Sequence, residues 1–470
     1  MTKARTSLLV LGIPVAMGMA ALGACSSDDT LVVPPRDGGV DAYKPPPADA
    51  GTSLSNVGHV VVIFLENHSF DNLYGSYPGA EGLSSPTAKI PQINSDTGQP
   101  YATLPQANPQ IPEGLPNEPF DITKHVPANQ KTRDLVHRWY QEMGQINGGK
   151  MDLFVTKSDA LGLSFGYYPT AQLPLVKLIN SMPSNVTVCD HFFHAAFGGS
   201  FLNHIWLIAA ATPTFPGAPA SMRAQVDKDG NMIKDGVLTP EGDVVNTAYS
   251  VNAPYRKATP VAERVPNQTL PTIGDQLTAA SVDWAWYSGG WNDALADKPD
   301  PTFQYHHQPF VYFEPYADGK PGRSHLKDEA EFITASKSGT LPPVSFVKPV
   351  GTDNEHPGYA DLETGQKHVV ELIQGLMNGP SWNDTVVIVT YDENGGFWDH
   401  VAPPKTDKWG PGSRVPAIVF SKFARSGVDS TVYDTTAILR FIEKRWNMPA
   451  LNDRVGRQED LSAHALRFDR

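Results

Sequence analysis

Cysteine is scarce in this chain, and its scarcity limits how the fold can be held together. Only Cys25 and Cys189 occur among 470 residues. Cys25 ends an apolar N-terminal segment, so Cys189 has no second cysteine to pair with inside a folded domain. Disulfides therefore do not stabilise the fold. We expect Cys189 to be a small buried residue at a strand end rather than a reactive thiol.

Basic residues are outnumbered by acidic ones. The chain has 37 Lys and Arg against 50 Asp and Glu, a formal net charge of -13 at pH 7. Non-specific nucleic-acid binding needs clustered Lys and Arg, and the sequence has no such cluster, so we expect no nucleic-acid partner. Hydrophobic residues make up 40% and aromatic residues 10%, which is typical of a globular protein with a large core.

Two familiar catalytic or binding signatures are missing, and a third does not include Ser200. The sequence has no GxxxxGK[ST] loop, which excludes a P-loop nucleotide site. Ser200 does not lie in a GxSxG elbow, because it follows Gly198-Gly199 and precedes Phe201-Leu202. Cysteine and histidine do not occur at the spacing of a structural zinc site. Any catalytic site must therefore be sought in other motifs.

The first 25 residues have the pattern of an export signal. Lys3 and Arg5 precede an apolar run over 7–24, and Leu22-Gly23-Ala24-Cys25 resembles a bacterial lipobox, whose cysteine is lipidated and becomes the mature N-terminus. We predict a lipoprotein signal peptide over residues 1–25, with membrane anchorage through Cys25 and the domain facing the periplasm or the cell exterior. An ordinary signal peptide cleaved nearby is the alternative.

The rest of the chain divides into a tether and one domain. Residues 26–56 are rich in Pro, Asp, Gly and Ser and have too little apolar surface to fold, so we predict a disordered tether. Residues 57–470 are predicted to form one catalytic domain. Proline-rich or turn-rich stretches near 76–130 and 212–272 are predicted to be irregular excursions from it.

Apolar periodicity within the domain alternates between two kinds of element. Continuous apolar, β-branched runs predict buried strands at 59–65, 186–189, 344–347, 385–390 and 416–421. Helical stretches lie at 131–144, 202–211, 273–280, 326–336, 363–377 and 434–446. This alternation predicts an α/β sandwich around a mostly parallel sheet.

The first acidic motif, Glu66-Asn67-His68-Ser69-Phe70-Asp71-Asn72, directly follows the strand at 59–65. In open α/β sheets, ligands bind beyond the carboxyl ends of the strands. Glu66 and Asn67 offer a carboxylate and an amide oxygen, which hard divalent cations prefer. A polar turn after the strand is the simpler alternative.

The second acidic motif, Tyr391-Asp392-Glu393-Asn394-Gly395-Gly396, follows another apolar strand. Two adjacent carboxylates at the end of a buried strand are costly unless a cation or strong donors compensate them. The paired glycines allow a close approach of the backbone at this place. A solvated acidic turn would not explain why both acidic motifs end apolar strands, so we expect them to converge on one metal ion.

The third motif places Ser200 after two glycines and at the start of an apolar helical run. A helix N-terminus favours anions. A serine hydroxyl is a weak nucleophile that needs a base or a metal to activate it. From the residues alone, an N-cap role for Ser200 is the simpler interpretation.

Four histidines complete the candidate chemistry. His306 and His307 lie among aromatic residues, His356 lies in Asp353-Asn354-Glu355-His356-Pro357, and His137 begins an amphipathic segment. Phosphoryl chemistry needs cations around the equatorial oxygens and an acid for the leaving group, and histidine serves both tasks near neutral pH. Each histidine, taken singly, is also compatible with a structural role.

Five ordered segments resemble the bacterial acid phosphatase and phospholipase C superfamily. They are ENHSFDNLYG at 66–75, GGKMD at 148–152, VTVCDHFF at 186–193, YDENGGFWDHV at 391–401 and GPGSRVPAIVFS at 410–421. The resemblance runs from about residue 57 to 446. It implies an alkaline-phosphatase-like, three-layer α/β sandwich with helices on both faces of the sheet.

The resemblance also implies roles for individual residues. Glu66, Asn67, Asp392 and Glu393 match the metal ligands of the family, and Ser200 matches the residue that binds the metal and attacks phosphorus. His137, His306, His307 and His356 match the histidines around the phosphoryl group, with His307 the preferred acid for the leaving oxygen. One divalent ion is expected, and oxygen ligands are compatible with Ca²⁺, Mg²⁺ or Mn²⁺.

The resemblance leaves two branches to separate. Serine as nucleophile and the segments at 284–292 and 303–310 resemble the acid-phosphatase branch, so we predict hydrolysis of phosphate monoesters through a phosphoserine intermediate. The alternative is a phospholipase C that cleaves phosphodiester headgroups such as that of phosphatidylcholine. The expected substrate is thus a phosphorylated small molecule or a phospholipid.

Two further classes are disfavoured. A non-catalytic surface-binding lipoprotein would need a broken site, and every expected site residue is present. Sulfatases carry a modified Cys or Ser in a C/S-x-P-x-R context, and the residues after Ser200 do not match that context.

Overall fold

An eight-stranded sheet forms the centre of the computed structural model, which describes residues 54–468. In chain order, its strands are β1 (His59–Leu65), β2 (Val186–Cys189), β3 (Trp284–Ser288), β4 (Leu326–Asp328), β5 (Val344–Lys348), β6 (Thr385–Tyr391), β7 (Ala417–Ser421) and β8 (Gly427–Asp429). The predicted signal peptide at 1–25 and most of the predicted tether lie outside the described residues.

The sheet is mostly parallel. The strand order is β4-β3-β5-β1-β6-β7-β2-β8, and only β7 runs antiparallel to its neighbours β6 and β2. The inner strands β1, β5 and β6 are buried almost throughout, which explains their continuous apolar sequences. The predicted α/β class with a mostly parallel sheet is confirmed.

Helices pack in two groups. The longer ones are α2 (Trp139–Ile146), α3 (Pro174–Ser181), α4 (Ser200–Ala209), α5 (Ile273–Ala279), α7 (Glu329–Ser338), α8 (Leu362–Met377) and α9 (Thr436–Arg445), and the short ones are α1 (Phe70–Tyr74), α6 (Trp291–Leu295), α10 (Asp453–Gly456) and α11 (Leu461–His464). Helix α8 contacts α3 and α7, whereas α4 contacts α5 and α9. All ten residues of α4 are buried, so this helix lies inside the core.

Two predicted helices have different boundaries in the structure. The stretch predicted at 131–144 is helical only from Trp139, because the backbone of the preceding loop has partners elsewhere: Val136 N–H donates to Asp159 over 2.8 Å. The stretch predicted at 326–336 begins as strand β4. Helix α7 starts at Glu329, where Asp328 and Glu331 form a capping box.

The remaining chain is irregular. Within 76–130 and 212–272, the described strands are two or three residues long, such as Phe120–Asp121 and Met232–Lys234. Leu54–Asn56, at the end of the predicted tether, forms a 3-10 turn. Among residues 54–468, no helix is both long and apolar enough to cross a membrane.

Candidate active site

The two acidic motifs meet where β1 and β6 end. These strands pair in parallel register with Leu65 opposite Tyr391, so Glu66 and Asp392 leave the sheet side by side. Asp392 N–H donates to Leu65 O over 3.1 Å, and Asn67 N–H donates to Asp392 Oδ1 over 3.2 Å. The register of two central strands therefore brings the motifs together.

Gly395 lets the two motifs approach this closely. Its φ of +63° lies in the left-handed region, and a Cβ at this position would lie 2.1 Å from Asn67 O. Its N–H donates to Glu393 Oε2 over 2.5 Å. Glycine is thus required here by both conformation and space.

The carboxylates of Glu66, Asp392 and Glu393 are fully buried, and each has one oxygen that accepts no hydrogen bond. Glu66, Asp392 and Glu393 are 0% exposed, and Asp392 Oδ2 and Glu393 Oε1 accept no hydrogen bond. Burial, and then the charge of Glu66, raises the pKa of Asp392 to about 7. Burial, and then the charge of Asp392, raises the pKa of Glu393 well above its usual value. These carboxylates need a compensating positive charge.

Glu66 is the carboxylate that already has cationic neighbours. Its Oε1 lies 2.8 Å from Lys348 Nζ and also contacts His307 Nε2, while Tyr359 Oη donates to Oε2 over 2.9 Å. Burial opposes ionisation of Glu66, but the contacts with His307 and Lys348 outweigh it and hold the pKa of this carboxyl well below its usual value. Glu66 is therefore the stable anion of the site.

Ser200 is the first residue of α4 and lies beside Asn67. The residue that caps the helix is Gly199, so the interpretation of Ser200 as an N-cap is wrong. The Ser200 hydroxyl donates to Asn67 Oδ1 over 3.4 Å and adjoins the Asp392 carboxylate. With a residue exposure of 6%, it lies at the floor of a cavity rather than on the surface.

Glu142 holds the loop that carries Ser200. Its Oε2 accepts from Gly198 N–H over 2.6 Å, and its Oε1 accepts from Ser413 N–H over 2.8 Å and lies 2.8 Å from His194 Nε2. Burial opposes ionisation of Glu142, but the charge of His194 and these hydrogen bonds outweigh it and lower the pKa of Glu142. The contacts of Glu142 with His194 and Gly198 therefore anchor the loop before Ser200 to helix α2.

The cavity above Ser200 has a volume of about 420 Å³ and contains three of the four predicted histidines. His137, His306 and His356 line it, together with Glu66 and Tyr359. His137 and His356 donate from Nδ1 to the carbonyls of Leu135 and Pro357 over 2.5 and 2.6 Å. Their Nε2 atoms lie 3.9 Å from Glu393 and Glu66, respectively, and are free to meet a ligand.

His307, the preferred leaving-group acid, lies deeper. It contacts Glu66 and stacks on His204 with ring centroids 5.0 Å apart, and burial lowers its pKa to about 4. Burial also lowers the pKa of His306 and of His356. The geometry therefore favours His306 or His356 over His307 for direct contact with a substrate.

The buried oxygens fit a hard divalent cation. Asp392 Oδ2 and Glu393 Oε1 are the partnerless acceptors that such an ion requires. The predicted carboxylate set is not one tight group, however. Among the described residues, the buried set in this region with ligand atoms within 4.8 Å of one another is Glu66, His204 and His307. Asp392 Oδ2 lies 3.8 Å from His204 Nδ1, which puts this histidine at the centre of the candidate site.

Several neighbours of the site were not predicted from the sequence. Lys348 ends strand β5 and is completely buried, although lysine at a strand end usually indicates solvent exposure. His204 lies one turn after Ser200 and donates from Nδ1 to Ser200 O over 2.7 Å, a spacing visible in the sequence. Glu142 lies far from the acidic motifs, and nothing in its local sequence distinguished it.

Comparisons with known proteins agree on a family. The sequence model of the Phosphoesterase family matches residues 57–449. Phospholipase C B of Mycobacterium tuberculosis is 24% identical over 437 residues, covering 85% of this chain and 75% of that protein. Non-hemolytic phospholipase C of Pseudomonas aeruginosa is 23% identical over 436 residues, covering 84% of this chain and 55% of that protein.

Among solved structures, a protein in the alkaline phosphatase superfamily from Vibrio parahaemolyticus matches with a TM-score of 0.36 and 9% identity. The match covers 72% of this chain and 73% of that one.

Proposed function

We propose, from the premise that this chain belongs to the Phosphoesterase family, that it is a phospholipase C. The chain is a phosphoric ester hydrolase, as its family and its relatives indicate. Our proposal adds that its substrate is a phosphodiester of the phospholipid type. The observation that supports this most is the similarity to proteins named phospholipase C over 85% of the chain.

The monoesterase prediction made from the sequence is not confirmed. It depended on serine as the nucleophile and on two aromatic segments, whereas the similar proteins named above are phospholipases C. Hydrolysis of phosphate monoesters therefore becomes the competing hypothesis, and the experiment must separate the two activities.

In the proposed mechanism, Ser200 Oγ attacks phosphorus in line, its proton passes to the adjoining Asp392 carboxylate, and the substrate's alcohol leaves. Asn67 and the Gly198-Gly199 loop hold the hydroxyl, which lies at the floor of the cavity. The N-terminus of α4 faces the same place and stabilises negative charge on the phosphoryl oxygens. A water molecule then cleaves the phosphoserine ester and restores Ser200.

Histidines that line the cavity are proposed to move the protons. His306 or His356 protonates the leaving oxygen, and His137 is placed to contact a phosphoryl oxygen. Protonated histidine is required for this step, and burial lowers the pKa of His306 and of His356. We therefore expect activity to be greatest on the acid side of neutrality.

A divalent ion is proposed to be held by Glu66, Asn67, Asp392, Glu393 and Ser200, the set predicted from the family resemblance, with His204 as a further neighbour. When bound, such an ion supplies Lewis-acid stabilisation of an alkoxide and of phosphoryl charge. The two partnerless carboxylate oxygens support this assignment. Ca²⁺, Mg²⁺ and Mn²⁺ all fit oxygen ligands.

We also propose that the protein is exported and anchored to a membrane through a lipid on Cys25, facing the periplasm or the cell exterior. The lipobox-like Leu22-Gly23-Ala24-Cys25 supports this. Such a location would bring the cavity to the phospholipids of a membrane.

The test compares hydrolysis of p-nitrophenylphosphorylcholine and p-nitrophenyl phosphate across a pH series, with and without a chelator. We expect faster cleavage of the choline diester, an acidic optimum, and loss of activity with the chelator that added Mn²⁺ or Ca²⁺ restores. Preference for the monoester would replace the phospholipase proposal with the phosphatase. Failure to cleave either ester would contradict both.

A further inference from the structure

Lys348 is a completely buried lysine at the carboxyl end of β5. Its Nζ lies 2.8 Å from Glu66 Oε1, and none of its surface reaches solvent. Phe64 lies against the side chain, with Nζ 5.7 Å from the ring centroid. A lysine is almost never buried in this way unless its charge has a function or a partner.

The position of Lys348 is fixed by the sheet. Strand β5 pairs in parallel with β1, Ile63 opposite Val347, and with β3, Ser288 opposite Lys348. The backbone of Lys348 is held on the far side by Gly289 N–H, which donates to Lys348 O over 2.8 Å. The ammonium group therefore enters the site from a rigid strand, not from a mobile loop.

The charges around Lys348 do not balance by themselves. Glu66, Asp392 and Glu393 can carry three negative charges, all fully buried. Lys348 is the one cation other than histidine that the described residues place against these carboxylates. Two negative charges remain, on Asp392 and Glu393. Their Oδ2 and Oε1 atoms accept no hydrogen bond, and the nearest basic groups to them are histidines, His204 at 3.8 Å and His137 at 3.9 Å.

We propose that Lys348 is a positioning residue that sets the charge of the metal site, so that the site takes a single divalent ion. Its ammonium group neutralises the negative charge of Glu66. Because it lies against Glu66 Oε1, that oxygen cannot act as a ligand of a second metal ion. One divalent ion then neutralises Asp392 and Glu393. The inference depends on the proposed function only in assuming that these carboxylates bind a metal.

The experiment compares affinities for Tb³⁺ and Mn²⁺ in the full-length wild type and in Lys348→Met, both freed of metal with a chelator. Tb³⁺ binding is followed by luminescence excited through nearby tyrosine and tryptophan, and Mn²⁺ binding by electron paramagnetic resonance. If Lys348 sets the charge, its removal leaves a site with one more negative charge, and the preference for Tb³⁺ over Mn²⁺ should rise about tenfold or more.

Lys348→Arg is the matched control, because it keeps the charge, and its preference should stay near that of the wild type. A purely structural lysine would change both affinities together and leave their ratio unaltered. An unchanged ratio in Lys348→Met would therefore overturn the proposal.

Wild-type stoichiometry provides a second measurement that does not depend on the variant folding. One Mn²⁺ per chain by native mass spectrometry supports the proposal, and two ions, or none, overturn it. No substrate is involved, so absence of phosphoester hydrolysis with one bound ion would refute the proposed function and leave this inference standing.

Discussion

At the scale of single residues, the site depends on which buried acids are charged. Glu66 is ionised beside Lys348, whereas Asp392 and Glu393 lack compensating partners. A fourth buried acid, Glu355, lies next to His356 and accepts hydrogen bonds from Tyr391 Oη over 2.7 Å and Gln366 Nε2 over 3.0 Å. Glu355 is not one of the carboxylates assigned to the metal, so a substitution there leaves all of those carboxylates in place.

Glu355→Gln should change how stability depends on pH. Burial raises the pKa of Glu355 from 4.5 to about 8. In the pH range between these two values, the folded state keeps a proton that the unfolded state releases. The wild type therefore loses stability as pH rises through this range, by at most about 1.4 kcal/mol per pH unit from this group. Glutamine cannot ionise, and whatever it costs in hydrogen bonding is independent of pH.

The melting temperature of Glu355→Gln relative to the wild type should consequently increase from pH about 5 to about 8, as measured by thermal unfolding. A constant difference across this range would mean that Glu355 is ionised in the folded protein throughout.

At the scale of elements, the loop before α4 positions the nucleophile. Gly198 has a φ of +88°, and a Cβ there would lie 2.6 Å from Trp139 N. Glu142 accepts from its N–H, and Asn203 Nδ2 donates to its carbonyl over 3.1 Å. The loop is thus held between α2 and α4, and Ser200 inherits its position from both helices.

Gly198→Ala should displace this loop. We expect a loss of about 2–3 kcal/mol of stability, from a strained φ and a backbone clash, and a fall in kcat larger than the change in KM. Gly148→Ala is the matched control, because Gly148 also has a positive φ, +66°, but nothing lies within 4 Å of its Cβ position. Unfolding in urea and steady-state kinetics provide the comparison. Equal effects of the two changes would show that the packing against Trp139 is unimportant.

The sequence was informative where a local pattern determines the element. The apolar runs of β1 and β6 and the acidic residues after them predicted both strands and their meeting point, because parallel strands end at the same edge of the sheet. The helix predicted at 131–144 was wrong at its start, since tertiary hydrogen bonds hold residues before Trp139 in an extended loop. Propensity carries no information about such partners.

Lys348 and Glu142 show the same limit within the site. Each is near the reacting centre because of packing between elements distant in sequence. Lysine at the end of a strand and glutamate in a helix are ordinary exposed residues by composition. Their burial, and hence their chemical importance, became evident only from the three-dimensional structure.

At the scale of the whole molecule, the two cysteines of the chain lie in the proposed anchor segment and in the described domain. The predicted lipobox at Cys25 lies outside the described residues, whereas Cys189 is buried at the end of β2. Cys189 is therefore not accessible for lipidation in the folded domain.

Cys25→Ser should abolish attachment of lipid to the protein. Labelling of cells with a radioactive fatty acid should mark the wild type and not Cys25→Ser, because the predicted acceptor sulfur is gone. Cys189→Ser, which changes a buried thiol only, should remain labelled. An unlabelled wild type, or a labelled Cys25→Ser protein, would contradict the proposal that Cys25 carries a lipid.

The most direct test of the central claim, that Ser200 is the nucleophile of a phosphoesterase, is mass spectrometry of the Ser200 peptide after rapid acid quenching with substrate. The account predicts a phosphoryl adduct on Ser200, or a phosphorylcholine adduct with the choline diester, and a fall in kcat of about 10³-fold or more in Ser200→Ala. An adduct on another residue, or near-full activity of Ser200→Ala, would contradict it.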